Sequence, residues 1–519
     1  MLYIIAVVIA AVAALFSLTR QLHMLQQNSY YNTRYLSWAK ENFGFRSVFA
    51  ILMLVASCSL IKLDIFILIL VLVASVFKVL HTFSFQKKAI KPLVFTSRVK
   101  RMYATAFVVL AALGTCAIIF ENVRIPLLIA VLVLFYFPGI TAIAVNIINA
   151  PAERAVKQWY INDAKKKLRS FKNMKIIGIT GSYGKTSTKH IIARILEEKY
   201  NVCFTPGSFN TPMGVVRTIR EYMKPQTEIF VCEMGAKNVG DIKEICKIVH
   251  PDTGIITSVG PQHLSTFKSI ENVIKTKFEL ADSVKKKGGV VFLSNDNKYI
   301  KEKCGEYNSV MYGTADGSKY KAENIHCGPS GTQFDVVFDN EKISLSTKLL
   351  GMHNVLNITG AVAIAYELGV SEKDIVFAVS KLEQTEHRLQ LKSFIKGSVL
   401  IDDAYNSNPE GCLEAVRVLG SFDGMKKVIV TPGLVELGDK EYECNYNLGL
   451  ECTKHCNEII LVGKERSKPM TDAIATTDFD SSHVHVVASF KDAMALMQNM
   501  IDSNSAVLFE NDLPDNYAK

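Results

Sequence analysis

Apolar positions crowd the first 150 residues and thin out abruptly after them. Five stretches there, 2–18, 47–61, 65–83, 103–120 and 125–148, lack the polar stripe of a surface helix. Most approach the roughly 20 residues that a helix needs to cross a bilayer. The second is short, which makes residues 62–64 a tight turn. From Met174 the pattern changes to short β-rich runs alternating with amphipathic helices such as 186–198. "KIIGIT", "EIFVCEMG", "TGIITSV" and "GVVFLSND" read as strands buried on both faces, which implies a mostly parallel α/β sheet. A second series, "SVLIDDAY", "KKVIVTPG", "EIILVG", "HVHVVAS" and "SAVLFEND", starts near Ser398.

These patterns predict an N-terminal multi-span α-helical membrane domain followed by α/β structure, in four segments. Residues 1–150 form a transmembrane domain of about five helices, and 151–173 a basic juxtamembrane linker. Residues 174–385 form a central α/β domain built on a phosphate-binding loop (P-loop), and 386–519 a smaller Rossmann-like C-terminal domain. Charge sets the orientation. Arg20, Arg34, Lys40 and Arg46 lie between the first two apolar stretches; Lys87, Lys88, Lys91, Arg98, Lys100 and Arg101 lie between the third and fourth. Basic loops stay on the cytoplasmic side. That places the N-terminus outside, and the domains after the spans in the cytoplasm of a multi-pass cell-membrane protein. The linker, with Trp159 and Tyr160 among its lysines, suits either anionic lipid headgroups or water. The net charge of +10 lies largely beside the apolar segments and lacks interleaved stacking aromatics, which argues against a nucleic-acid partner. The 11 cysteines include no CxxC pair; Cys452, His455 and Cys456 read as ordinary helix positions, and Cys203 and Cys232 as inert packing.

Candidate chemistry begins at "IIGITGSYGKTSTKH" (176–190), a buried strand, a glycine turn, a lysine, then hydroxyls opening a helix. Gly181, Ser182, Tyr183, Gly184, Lys185, Thr186 and Ser187 form a phosphate loop: small residues let backbone N–H groups close on phosphate oxygens at a helix N-terminus. Lys185 neutralises the outer phosphates, and the Thr186 hydroxyl can ligate Mg²⁺. The strict eight-residue pattern wants glycine at Ile179; the shorter T-G-x-x-G-K-T form is complete.

Eight further pieces follow in order: "SFNTPMGV" (208–215), "VCEMGAKNVGDI" (231–242), "PQHLSTFKSIENVIKTKFEL" (261–280), "LSNDN" (293–297), "GMHNVLNITGA" (351–361), "HRL" (387–389), "DDAYNSNP" (402–409) and "GLVELG" (433–438). Together with the loop, they resemble the Mur ligase family, nearest its branch that adds D-alanyl-D-alanine to the cell-wall precursor. The resemblance runs from about Met174 to the end of the chain.

The resemblance implies an ATP-dependent ligase of cell-wall synthesis that activates an acceptor carboxylate as an acyl phosphate and joins it to an amino acid or dipeptide amine. It implies two Mg²⁺ ions, one held by Thr186 and Glu233 and one by His263, with Lys185, Lys277 and His263 catalytic. Lys277 matches the lysine that this family often carbamylates. Asn354 and Asn357 would face adenine, Asp403 the ribose and Arg388 the nucleotide; Asn210, Thr211, Tyr405 and Asn406 would contact substrate. Without the resemblance, Glu233 is a strand-end carboxylate, His263 a loop histidine, Lys277 a surface lysine, and Asn354 and Asn357 helix-capping amides.

Three departures stand out. No UDP-sugar site is legible before Met174, where the family carries one. His387 occupies a position where the family commonly has glycine. The last strand runs into an acidic "LFENDLPDNY" (508–517) rather than a basic "KGSR"-like loop. The acceptor is therefore expected to include lipid-linked precursors, with membrane lipids as partners, and the amine need not be D-alanyl-D-alanine. A γ-linked poly-amino-acid synthetase and a membrane nucleotide switch or ATPase remain alternatives.

Overall fold

The computed structural model describes residues 2–42, 45–59, 64–88, 92–260, 264–339, 341–384, 388–404, 409–435, 437 and 440–511. The chain divides into two compact units, Met1–Tyr160 and Ile161–Lys519.

The first unit is helical: α1 (Leu2–Gln27), α2 (Asn32–Glu41), α3 (Phe45–Ser59), α4 (Asp64–Lys88), α5 (Ser97–Ile119), α6 (Arg124–Tyr136) and the start of α7 (Pro138–Arg169). Ala10, Ala13 and Ala14 of α1 share one buried cluster with Val71 and Ala74 of α4, Leu110 of α5, and Val131 and Phe135 of α6. Small side chains at such seams let helix backbones approach closely. Large apolar side chains point outward, among them Leu52, Phe77, Leu80, Phe107, Val108 and Ile119. Among the described residues two helices, Val8–Gln27 and Ser97–Ile119, are long and apolar enough to cross a membrane. There are up to three if Glu121–Tyr136 and Pro138–Arg169, bent by 99°, count as one broken span; Ala50–Ser59 and Leu68–Thr82 are shorter apolar helices. The expected fifth span, 125–148, is thus not one straight helix. Pro138 has no N–H to continue the ladder and pushes Phe137 out of helical geometry, to φ −120°, ψ 67°.

The second unit carries two sheets. The larger contains β1 (Lys175–Thr180), β2 (Val202–Phe204), β3 (Ile229–Glu233), β4 (Thr253–Ile256), β5 (Val290–Ser294), β6 (Ser309–Gly313), β7 (Tyr320–Gly328), β8 (Gly331–Phe338) and β9 (Glu341–Thr347), in the order β2-β3-β1-β4-β5-β6-β7-β8-β9. Strands β2 to β7 pair parallel, and β7-β8-β9 antiparallel. Strand β1 is buried at five successive positions because helices cover both sheet faces, whereas β9 alternates buried and exposed. The helices Lys185–Leu196 and Met352–Glu367 pack on one face, with Ile191, Ile195, Ile358 and Val362 in the main core.

The smaller sheet contains β10 (Gln390–Ser393), β11 (Val399–Asp403), β12 (Lys426–Thr431), β13 (Glu458–Val462), β14 (Val484–Val487) and β15 (Ser505–Glu510), in the order β10-β11-β15-β12-β13-β14. All its pairings are parallel except β10 with β11. The candidate residues Glu233 and Asp403 stand at C-terminal strand ends, as do Thr180 and Glu510, where open α/β sheets bind ligands.

Candidate active site

Strand β1 delivers the chain into the loop 181–184, which is pinned from behind by the segment after β4. Ser182 N–H donates to the Ser258 carbonyl at 2.8 Å, and Tyr183 N–H to Ser258 Oγ at 2.9 Å. A Cβ on Gly181 would lie 2.0 Å from Thr257 Oγ1, so only glycine fits there. Gly184 adopts φ +78° and caps the helix Lys185–Leu196 without a side-chain acceptor. The first intrahelical bond runs from Thr188 N–H to the Gly184 carbonyl. The amides of 185–187 precede it and have no intrahelical acceptor, the usual state of a helix start that receives an anion.

Lys185 curls back over this loop, donating to the carbonyls of Gly181 at 2.7 Å and Ser182 at 2.9 Å. Burial lowers its pKa to about 8, against the opposing pull of Glu233. Glu233, at the end of β3, is buried. Its Oε1 accepts from the Thr186 hydroxyl at 3.1 Å and from Asn210 Nδ2 at 3.0 Å; its Oε2 pairs with Lys189 Nζ at 3.0 Å. Thr186 and Glu233 are therefore together, as expected. Asn210, which the resemblance puts at substrate, donates to this carboxylate, and Thr211 caps the helix Pro212–Glu221 by accepting from Gly214 N–H.

Lys277 lies on the helix Ile270–Lys286, whose N-cap is Ser269, and is buried rather than a surface lysine. Burial first, then the charge of Lys185, lowers its pKa to about 7; Asp241 and Glu279 oppose this. Glu279 is itself held by the amides of Gly240 at 2.7 Å and Lys243 at 2.8 Å.

Asn354 and Asn357 share the helix Met352–Glu367. Asn354 Nδ2 donates to the Leu350 carbonyl, while Asn357 Oδ1 accepts from Thr188 Oγ1 at 3.0 Å. Asn357 Nδ2 is buried with no partner among the described residues. The helix Pro409–Gly420 of the C-terminal domain acts on the same region: Glu410 raises the pKa of Tyr183 after burial has done so, and Glu414 accepts from Met352 N–H at 2.8 Å. Asp403 ends β11, buried, with Oδ1 accepting from Leu389 N–H at 3.0 Å. It stands in register with Glu510 of β15. Burial and then the Asp403 charge push the Glu510 carboxyl well above the usual range. Arg388 is exposed at the start of this domain. The expected site residues His263, Tyr405 and Asn406 lie outside the described residues.

Lys189 was not anticipated. Its signal was its place four residues after Lys185, on the same helix face. Among the described residues no three His, Cys, Asp or Glu side chains gather as a metal cluster. A hydroxyl and a single carboxylate nevertheless suit Mg²⁺, which completes its shell with phosphate and water oxygens. The cradle that a Cβ would fill at Gly181 and the unpaired Asn357 amide fit a bound nucleotide.

Two family models match the chain in order: the Mur ligase middle domain over residues 179–365, and the Mur ligase, glutamate ligase domain over residues 387–510. The UDP-N-acetylmuramoyl-tripeptide–D-alanyl-D-alanine ligase of Bacillus subtilis (strain 168) is 31% identical over 268 residues, covering 51% of this chain and 58% of that protein. The chain thus spans under two thirds of that relative. The ligase of the same name from Escherichia coli (strain K12) is 27% identical over 331 residues, 63% of this chain and 70% of that one. Among solved structures, MurF from Acinetobacter baumannii superposes with a TM-score of 0.58 at 25% identity, over 69% of this chain and 77% of that one. MurF ligase from Thermotoga maritima in complex with ADP gives 0.58 and 25%, over 69% and 80%. With both models falling in order on the two sheets, and together covering more than half of the chain, the chain belongs to the Mur ligase family.

Proposed function

We propose that this protein is an ATP- and Mg²⁺-dependent amide ligase of peptidoglycan synthesis, similar in chemistry to the D-alanyl-D-alanine-adding relatives. The observation that carries the reading is the convergence of Lys185, Thr186, Glu233 and Lys277 on one glycine loop inside the two-sheet frame of those relatives. The nucleotide supplies the phosphoryl group that turns an acceptor carboxylate into an electrophile, and the divalent ions neutralise charge around it. The chain's own residues do the rest. The amides at the head of the helix Lys185–Leu196 hold phosphate oxygens, and Lys185 exchanges its two carbonyl partners for them. Thr186 and Glu233 hold one ion, and His263 a second. Lys277, with its amine partly neutral near pH 7, is suited to carbamylation, which makes it a further anionic ligand. Asn357 and Asn354 contribute to the adenine side, Asp403 and Arg388 to the ribose and phosphate side, and Asn210, Thr211, Tyr405 and Asn406 to the acceptor.

The first unit is the anchor in this reading, with the catalytic domains in the cytoplasm and the N-terminus outside. Large apolar side chains facing outward, a small-residue seam inside, and basic residues at the helix ends support it. An anchored enzyme suits an acceptor that is itself lipid-linked, and the acidic run after β15 favours an amine other than one bearing a free carboxylate.

The test uses the full-length protein in nanodiscs with ATP and Mg²⁺. ADP release is followed while acceptor and amine are omitted in turn, with UDP-linked and lipid-linked tripeptides as acceptors and D-alanyl-D-alanine against basic amines. ADP release that needs both an acid and an amine is expected, with one amide product by mass spectrometry. Release indifferent to both would overturn the reading, and a ladder of products differing by one residue would select the polymer-forming alternative.

A further inference from the structure

We propose that Lys189 is the resident counter-ion of Glu233 and makes divalent-cation entry at the Thr186–Glu233 pair conditional on nucleotide phosphate. The inference rests on the reading of Thr186 and Glu233 as the metal pair. Its geometry stands independently of that reading.

Lys189 Nζ lies 3.0 Å from Glu233 Oε2, and the two side chains are 0% and 1% exposed. A second bond, 2.8 Å to the Gly207 carbonyl, fixes the ammonium from the other side. The lysine is therefore clamped, not a surface group that swings on and off. A carboxylate buried this deeply needs a counter-charge, since an uncompensated one is strongly destabilising. Lys189 supplies it, so the pair persists with no metal bound. The division of the carboxylate is informative: Oε2 faces the ammonium, while Oε1 faces only neutral donors, the Thr186 hydroxyl and the Asn210 amide. A hydroxyl can turn a lone pair to a cation, so Oε1 and Thr186 Oγ1 form the open side.

The charge balance then decides when a cation can enter. Glu233 and Lys189 sum to zero. Lys185, folded over the adjacent loop, adds positive charge, and Lys277 is close enough to feel it. A bare divalent ion thus meets no net negative charge at the Glu233–Lys189 pair itself, since Asp241 and Glu279 offset Lys277, and it does so in a low-dielectric setting where repulsion is strong. The polyphosphate of a nucleotide reverses that sign when it reaches the amides of 185–187. The metal accordingly enters with the nucleotide rather than ahead of it. This protects the site from free cations that would otherwise hold Glu233 in an unproductive complex.

Mn²⁺ is the probe, with free ion counted by electron paramagnetic resonance against the full-length protein, without nucleotide and with ADP. The wild type is expected to take up Mn²⁺ only with ADP. Lys189→Met is expected to bind it without nucleotide at least tenfold more tightly than the wild type, and Lys189→Arg to behave as the wild type. Lys189→Gln, which keeps a donor toward the Gly207 carbonyl, replaces the methionine variant if that one loses its melting transition. Nucleotide-free Mn²⁺ binding that agrees within twofold between wild type and the neutral variant overturns the proposal, as does an arginine variant that behaves like the neutral one. Glu233→Gln separates the two levels. If it keeps ADP-dependent Mn²⁺ uptake, Glu233 is not a ligand and the metal assignment falls. If it loses uptake while the Lys189 variants match the wild type, only the role of Lys189 falls.

Discussion

Gly184→Ala tests the phosphate loop by adding a single methyl group. Its cost has two separable parts. The residue sits at φ +78°, where a side chain costs roughly 1–2 kcal/mol. The new Cβ would also lie 2.8 Å from Asn357 Oδ1, the atom that accepts from Thr188 at 3.0 Å. Pushing that amide aside forfeits a buried hydrogen bond worth about 1 kcal/mol. The sum is about 2–3 kcal/mol. If the loop keeps its shape when empty, the cost appears as lost stability; if the loop relaxes, it appears as weaker ADP binding, by about 30- to 150-fold. Calorimetric ADP titration and urea melts of the same preparations therefore have to account for it between them. Repeating the substitution in an Asn357→Ala background removes the contact but leaves the backbone strain, so the cost should shrink there by about 1 kcal/mol. A Gly184→Ala protein unchanged in both measurements would refute the loop geometry. An equal cost in both backgrounds would refute the contact between Gly184 and Asn357.

Further outcomes follow from two groups whose titration the fold displaces. Carbon dioxide adds to neutral amines, so ¹³C-labelled CO₂ should give a carbamate resonance in the wild type at pH 8. The signal should fade as pH drops below about 7 and be missing in Lys277→Met; a signal surviving in that variant belongs to another amine. Between about 7 and 10.5 the unfolded chain holds a proton at Lys277 that the folded protein does not, so this group's contribution to stability rises with pH across that window. Glu510 has the opposite sign. Its folded pKa is raised well above 4.5, so above that value the folded protein keeps a proton that the unfolded chain has lost, and stability falls as pH rises toward the folded pKa. Glu510→Gln removes that slope, and its melting temperature should gain on the wild type from pH 6 to pH 9; a constant gap would refute the buried protonated acid.

What could be read from the sequence was what short-range pattern controls. The strands β1, β3, β4 and β5 announce themselves because burial on both faces demands unbroken apolar runs, and a glycine turn before Lys185 and Thr186 is chemically eloquent alone. Strand β8 alternates largely buried and half-buried positions and β9 buried and exposed ones, with polar residues such as Asp335 and Ser344 between the apolar ones, and that weaker period gives no clear signal. The 99° break at Phe137–Pro138 was hidden inside an apolar run, since hydropathy does not register a missing N–H. The contacts of Lys189 and Asn210 with Glu233 are illegible in the sequence for a deeper reason. A lysine on an amphipathic helix reads as solvated, and an asparagine beside a helix start reads as a cap or a substrate contact. Only the pairing of β1 with β3, Ile179 opposite Glu233, brings a carboxylate from 44 residues away against Lys189 and from 23 away against Asn210. The phosphate loop is thus a local motif, but the charge that governs it is a tertiary property. Relatives that share the loop can differ in how they admit a metal without any change in the motif itself.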